Sequence, residues 1–236
     1  MPTRRVPRRA LAALGVIGIM ATGAFGAVSS PATASERQSL GPLLSGGPVK
    51  SLLEMREQNV IVQKYDISCG AAALATLLDF QFGDHVTEKQ VAEGLIARKE
   101  YIAHPELVRI RQGFSLLDLK RYAESRGYQG IGYGELDLHD LIRLAPIIVA
   151  IRPVGYNHFV VFRGVLGNQV LLADPAFGNE TMTIDKFEHI WIKFPKFGRV
   201  GFIVTRTGKP APPGRLALQL DQFIAPPAAF VRQVLP

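Results

Sequence analysis

The 236-residue chain carries 27 Lys and Arg against 20 Asp and Glu, a formal net charge of +7, with 47% hydrophobic residues and a single cysteine. That size and apolar content fit one globular domain with extensions, and one cysteine excludes an internal disulfide framework. The basic excess does not argue for a nucleic-acid partner, because residues 1–34 hold four arginines and no acid; without them 23 basic residues face 20 acidic ones, a net +3.

In chain order, "MPTRRVPRRALAALGVIGIMATGAFGAVSSPATASE" opens with four arginines, continues as an apolar run from Ala10 to Val28, and reaches Ala32-Thr33-Ala34, a small-x-small peptidase site. This is the order of a secretory signal peptide over residues 1–34, with a retained membrane anchor as the rival reading. No other stretch is apolar enough to span a membrane. The expected mature protein is exported to the periplasm. There an unpaired thiol is a liability, which suggests a use. Residues 35–48, "SERQSLGPLLSGGP", read as a flexible linker. Its Gly46-Gly47 pair and Pro48 suit a spacer.

The domain is expected over residues 49–208. "VKSLLEMREQNVIVQ" suggests a hairpin or irregular strand pair around polar "REQN". A small-residue helix is expected from Cys69 to Phe82, stopped by Gly83. Thr87 and Gln90 form a capping-box pattern opening "EKQVAEGLIARK". Ser115 caps "LLDLKRYAESRG", with Leu116, Leu119, Tyr122 and Ala123 on one face and Gly127 as the stop. "DLHDLIRLA" is a short helix before Pro146. Strands follow in "IIVAIRP", "HFVVFRGVLGNQVLLADP" and "RVGFIVTRT", with a tight turn at Gly167-Asn168 and a short helix in "TIDKFEHIW". Helices first and antiparallel strands afterwards make an α+β domain. Residues 209–236 are a proline-rich and hydrophobic tail, with Leu216, Leu218, Leu220, Phe223 and Ile224, that packs back on the domain or binds something else.

The chemistry gathers on four residues. Cys69 opens the first long helix, where unpaired N–H groups and a partial positive charge favour a thiolate. Gln63, six residues upstream, can place an amide N–H beside the sulfur for an oxyanion. His158 opens a strand, and Asp174 ends its hairpin partner, so the two fall near the same end of adjacent strands as a base and its orienting acid. The bland alternatives are a buried inert cysteine, a turn-forming Asp before Pro175 and a half-solvated His. The remaining histidines, His85, His104, His139 and His189, show no metal-ligand spacing, and no cofactor is implied.

"QKYDISCGAAALATLL" resembles the nucleophile motif of the bacteriocin-processing, double-glycine cysteine peptidases, a papain-like group. "NHFVVFRGV" and "VLLADPAFG" resemble its His and Asp motifs in the same order, and "GFSLLDLKRYAESRGY" its segment between the two halves. The resemblance covers about residues 58–205. It implies a papain-like fold with a helical N-terminal half and an antiparallel C-terminal sheet. It makes Cys69 the nucleophile, His158 the base, Asp174 the orienting acid and Gln63 the oxyanion-hole glutamine. Members are commonly the N-terminal domain of an export ATPase, whereas this sequence has a signal peptide and no P-loop pattern. It is more similar to stand-alone exported members, some of which accompany export systems for bacterial functional amyloid. The substrate class implied is a peptide or exported protein cut after small, Gly-Gly-like residues, with an export system or amyloid subunit as partner. A catalytically silent binding or chaperone module assisting export is the alternative function.

Overall fold

The computed structural model describes residues 51–206, 214–219 and 222. The expected signal peptide, the linker with Gly46-Gly47, and Leu220, Phe223 and Ile224 of the tail lie outside the described residues. Among the described residues no helix is long and apolar enough to cross a membrane.

The chain enters through α1 (Leu52–Glu57), where a strand pair was expected. Ser51 and Glu54 close a capping box there, and both Leu52 and Leu53 are exposed, so the apolar residues that suggested a strand face solvent. The chain then runs extended to the loop before α2 (Cys69–Thr76), which continues through a π-helical turn (Leu77–Gln81) to Phe82 and to Gly83 at φ +69°. All eight residues of α2 are buried. A helix buried on every side needs small side chains, and Gly70 and four alanines provide them. Three further helices precede the sheet: α3 (Glu88–Ile96), capped by Thr87 and Gln90 as expected, and the short α4 (Lys99–Ala103) and α5 (Glu106–Ile110), which the sequence did not announce. Helix α6 (Leu116–Ser125) starts on a Ser115–Asp118 capping box, buries Leu119 and Ala123, and ends before Gly127 at φ +81°.

Strand β1 (Tyr128–Tyr133) and helix α7 (Leu138–Leu144) lead into β2 (Ile147–Ile151), β3 (His158–Leu166), β4 (Gln169–Asp174) and β5 (Gly178–Thr183). Helix α8 (Ile184–Ile190), the small pair β6 (Lys193–Phe194) and β7 (Gly198–Arg199), and β8 (Gly201–Arg206) complete the domain. The main sheet is antiparallel throughout, in the order β1-β8-β2-β3-β4-β5. Alternation along its strands divides the core. Ile148, Val161, Ala173 and Phe202 pack with α2, α3 and α6, while Val149, Val160, Phe162 and Leu172 pack with Leu141 of α7 and with Phe187 and Trp191 at α8. Each of the valines, leucines, isoleucines and phenylalanines removed from water contributes on the order of 1.5–3 kcal/mol.

Pairing between β3 and β4 shifts at Phe162/Gly164, a bulge centred on buried Arg163. The guanidinium reaches Asn179 Oδ1 at 2.7 Å and the carbonyls of Leu216 and Ala217 at 3.0 and 3.1 Å. Leu216 is fully buried, and Leu218 lies over Gly164, so this part of the tail packs back on the domain.

Candidate active site

The sulfur, the imidazole and the carboxylate meet where α2 abuts the sheet. Gly70 permits the approach: a Cβ there would lie 3.3 Å from Phe159, the residue after His158. Val161 of β3 pairs with Ala173 of β4, which brings His158 and Asp174 to the same end of the hairpin. His158 Nε2 lies 2.8 Å from Asp174 Oδ1, and both side chains are almost completely buried. Nδ1 is thereby left to face Cys69, which lines the same cleft as His158. Burial alone would depress the imidazole below its ordinary value. The hydrogen bonds and charges of Asp174 and Cys69 outweigh it and push His158 up to about 9.

Asp174 serves two purposes with one atom. Its Oδ1 also accepts the Ala176 N–H at 2.6 Å, so the carboxylate that holds His158 also forms the turn through Pro175. The turn and the site are tied again by Gln63, whose N–H donates to the Pro175 carbonyl at 2.7 Å. Gln63 donates one amide N–H to the Tyr65 carbonyl at 3.3 Å, and its Oε1 is buried with no partner. The second amide N–H is uncommitted, on a side chain that lines the same cleft as Cys69. All four residues singled out in the sequence therefore converge.

That cleft, about 290 Å³, is also lined by Arg109, Gln112, Tyr156 and Asn157, none of which was singled out from the sequence. The Tyr156 ring stands edge-on to the His158 ring with centroids 6.0 Å apart. A second hollow of about 380 Å³ shares Gln112, Asn157 and His158 and is otherwise largely apolar, with Phe114, Leu116, Phe159 and Phe197 in its wall. Proximity of Asn157 to His158 in sequence was the one available signal for these residues; the others arrive from α5, the loop after it and the β2–β3 connection. Away from this site, Asp137, His139 and Asp140 bring ligand-type atoms within 4.8 Å of one another at the exposed start of α7, where Asp137 and Asp140 already form the helix's capping box.

The sequence profile of the Peptidase C39 family matches residues 57–194. A "Probable functional amyloid protease FapD" of Pseudomonas aeruginosa is 41% identical over 156 residues, 64% of this chain and 66% of that protein. A second protein of that description, from Pseudomonas fluorescens, is 40% identical over 144 residues, 61% of each chain. The match thus spans less than two thirds of either relative's own length. Among solved structures, the peptidase domain of Streptococcus ComA, described as a bi-functional ABC transporter involved in a quorum sensing pathway, superposes with a TM-score of 0.50 at 18% identity. It covers 64% of this chain and 100% of that domain, and it shares the fold.

Proposed function

The chain belongs to the Peptidase C39 family, and from that membership we propose that it is a cysteine peptidase that hydrolyses peptide bonds by acyl transfer through Cys69. The observation that carries this reading is the buried imidazole of His158, held by Asp174 on one nitrogen, at the wall of an open cleft that Cys69 also lines.

The steps follow from the groups present. The Cys69 sulfur attacks the substrate carbonyl carbon, and the carbonyl oxygen becomes an oxyanion. The uncommitted Gln63 N–H and the Cys69 backbone N–H at the start of α2 receive that charge. Collapse breaks the C–N bond, and the His158 imidazolium gives its proton to the departing amine. Water then attacks the thioester, losing one proton to His158, and the acid leaves, giving its other proton to solvent as the thiolate–imidazolium pair is restored.

The substrate is proposed to be an exported protein cut after small, Gly-Gly-like residues, in the export or processing of a functional amyloid subunit; the description of the two Pseudomonas relatives supports this context. Residues 1–34 are proposed to direct the chain to the periplasm as a cleaved signal peptide. Cell fractionation that leaves the chain in the cytoplasm would overturn that placement.

The test of the chemistry is cleavage of Gly-Gly-containing peptides beside alkylation of Cys69 by iodoacetamide. Cleavage is expected from the wild type and none from Cys69→Ala, whereas restoration of export by Cys69→Ala in cells would favour a binding module. If the folded thiol alkylates no faster than a peptide thiol at neutral pH, it is not activated and the peptidase reading fails.

A further inference from the structure

Five residues, 64–68, join Gln63 to Cys69, and one buried carboxylate gathers them. Glu88 opens α3, distant in sequence from the nucleophile, yet it is only 4% exposed. Its Oε1 accepts the Lys64 N–H at 3.0 Å and the Tyr65 N–H at 3.3 Å, and its Oε2 accepts the Lys64 N–H at 2.9 Å. Ser68 occupies the N-cap position of α2, but its side chain makes no cap hydrogen bond. The hydroxyl turns instead to Glu88 Oε1 at 2.5 Å, with the Tyr65 carbonyl 2.6 Å away on its other side. A carboxylate offers acceptors only, which suits a loop that presents donors.

The loop so held is strained. Ile67, beside the cleft, has φ +62°, a left-handed conformation that a β-branched residue adopts at a cost of roughly 1–3 kcal/mol. Gly113 presses on it from the other side: its own φ is +124°, and a Cβ there would lie 3.1 Å from the Ile67 carbonyl oxygen. Strain beside a nucleophile persists only where surrounding contacts over-determine it, and Glu88 supplies those contacts.

Resting on the peptidase reading above, we propose that Glu88 is a positioning residue: it holds loop 64–68 so that the Gln63 amide and the Cys69 backbone N–H converge on the developing oxyanion. Glu88 touches neither substrate nor sulfur and acts through the loop. The conservative change Glu88→Gln keeps the shape but replaces one acceptor oxygen by an N–H that faces donors.

The experiment measures two rates on the same chain. One is steady-state cleavage of a peptide ending in Gly-Gly ahead of a fluorogenic amine. The other is iodoacetamide alkylation of Cys69, which uses the sulfur and the imidazole but forms no oxyanion. Glu88→Gln is expected to lower kcat roughly ten- to a hundred-fold, the scale of a misplaced oxyanion donor. KM should stay within about twofold and alkylation should be unchanged. In a Gln63→Ala background the same change should cost less than about threefold, because the amide it aligns is gone. Should Glu88→Gln fail to fold, Ser68→Ala removes only the hydroxyl with its contacts to Glu88 and the Tyr65 carbonyl, and is expected to lower kcat about three- to tenfold with alkylation intact. Unchanged kcat, a parallel fall of cleavage and alkylation, or full additivity with Gln63→Ala overturns the role of Glu88 while leaving the peptidase reading in place. A wild type that alkylates but cleaves no peptide overturns both.

Discussion

At neutral pH the His158 ring keeps its proton, because the partners around it push its pKa to about 9. Two consequences follow with definite sign. The cleavage rate should fall as pH rises through about 9, where the ring loses the proton it gives to the leaving amine, and a pH–rate profile reads this directly. Stability should fall over the same range. The folded pKa lies above the ordinary value of 6.5, so the contribution is complete below 6.5 and is lost as pH rises from there through about 9. Its full size is on the order of 3 kcal/mol, and denaturant melts across that window measure it. Asp174→Asn separates charge from shape. Asparagine Oδ1 can still accept both the Ala176 N–H and the ring N–H, so the turn stands, but stability at neutral pH should lose part of that contribution, whereas melts above about pH 9 should match wild type more closely. The imidazolium loses its counter-charge, the alkaline limb moves to lower pH, and cleavage should slow roughly ten- to a thousand-fold. A folded Asp174→Asn with wild-type rate and an unmoved limb would reduce the triad to a dyad.

The β3–β4 hairpin holds the base, and its bulge is held in turn by Arg163. Truncation by Arg163→Ala strands Asn179 and the 215–217 carbonyls without this donor and should cost about 2–4 kcal/mol, read from a urea melt. Cleavage below the melt should be spared, since the bulge is remote from Cys69 in the hairpin; a melt within error of wild type would show that the tail carbonyls are satisfied by solvent. This hairpin was the most legible element, because β-rich runs on either side of Gly167-Asn168 place its turn and its ends, and with them His158 near Asp174, whereas the register shift at Phe162/Gly164 was not legible. The capped helices α3, α6 and α7 were legible for the same local reason. Elements whose cause is tertiary were not. Strand β1 reads "YQGIGY", and Gly130 is needed because a Cβ there would strike the Phe202 ring at 2.8 Å. Strand β5 reads "GNETMT", polar and at the sheet edge, and its Gly178, at φ +82°, lies so close to the Arg56 carbonyl that no larger residue fits. In α1 the exposed leucines misled, while the Ser51–Glu54 cap was the better guide. Glu88 was read only as the first residue of a helix, since nothing local reveals that its acceptors serve backbone donors some twenty residues earlier.

Across the whole molecule the nucleophile and the base arrive from opposite ends of the domain: the helical half supplies Gln63 and Cys69, and the sheet supplies His158 and Asp174. The sheet order places β8, the last strand, between β1 and β2. Among the described residues strand β1 has β8 as its one partner in the sheet, and it is packed by α6. A chain made N-terminus first can form the β2 to β5 meander early but must hold β1 open until residues 201–206 appear. The edge strand that seats α6 therefore joins the sheet last, although it comes first of the strands in the chain.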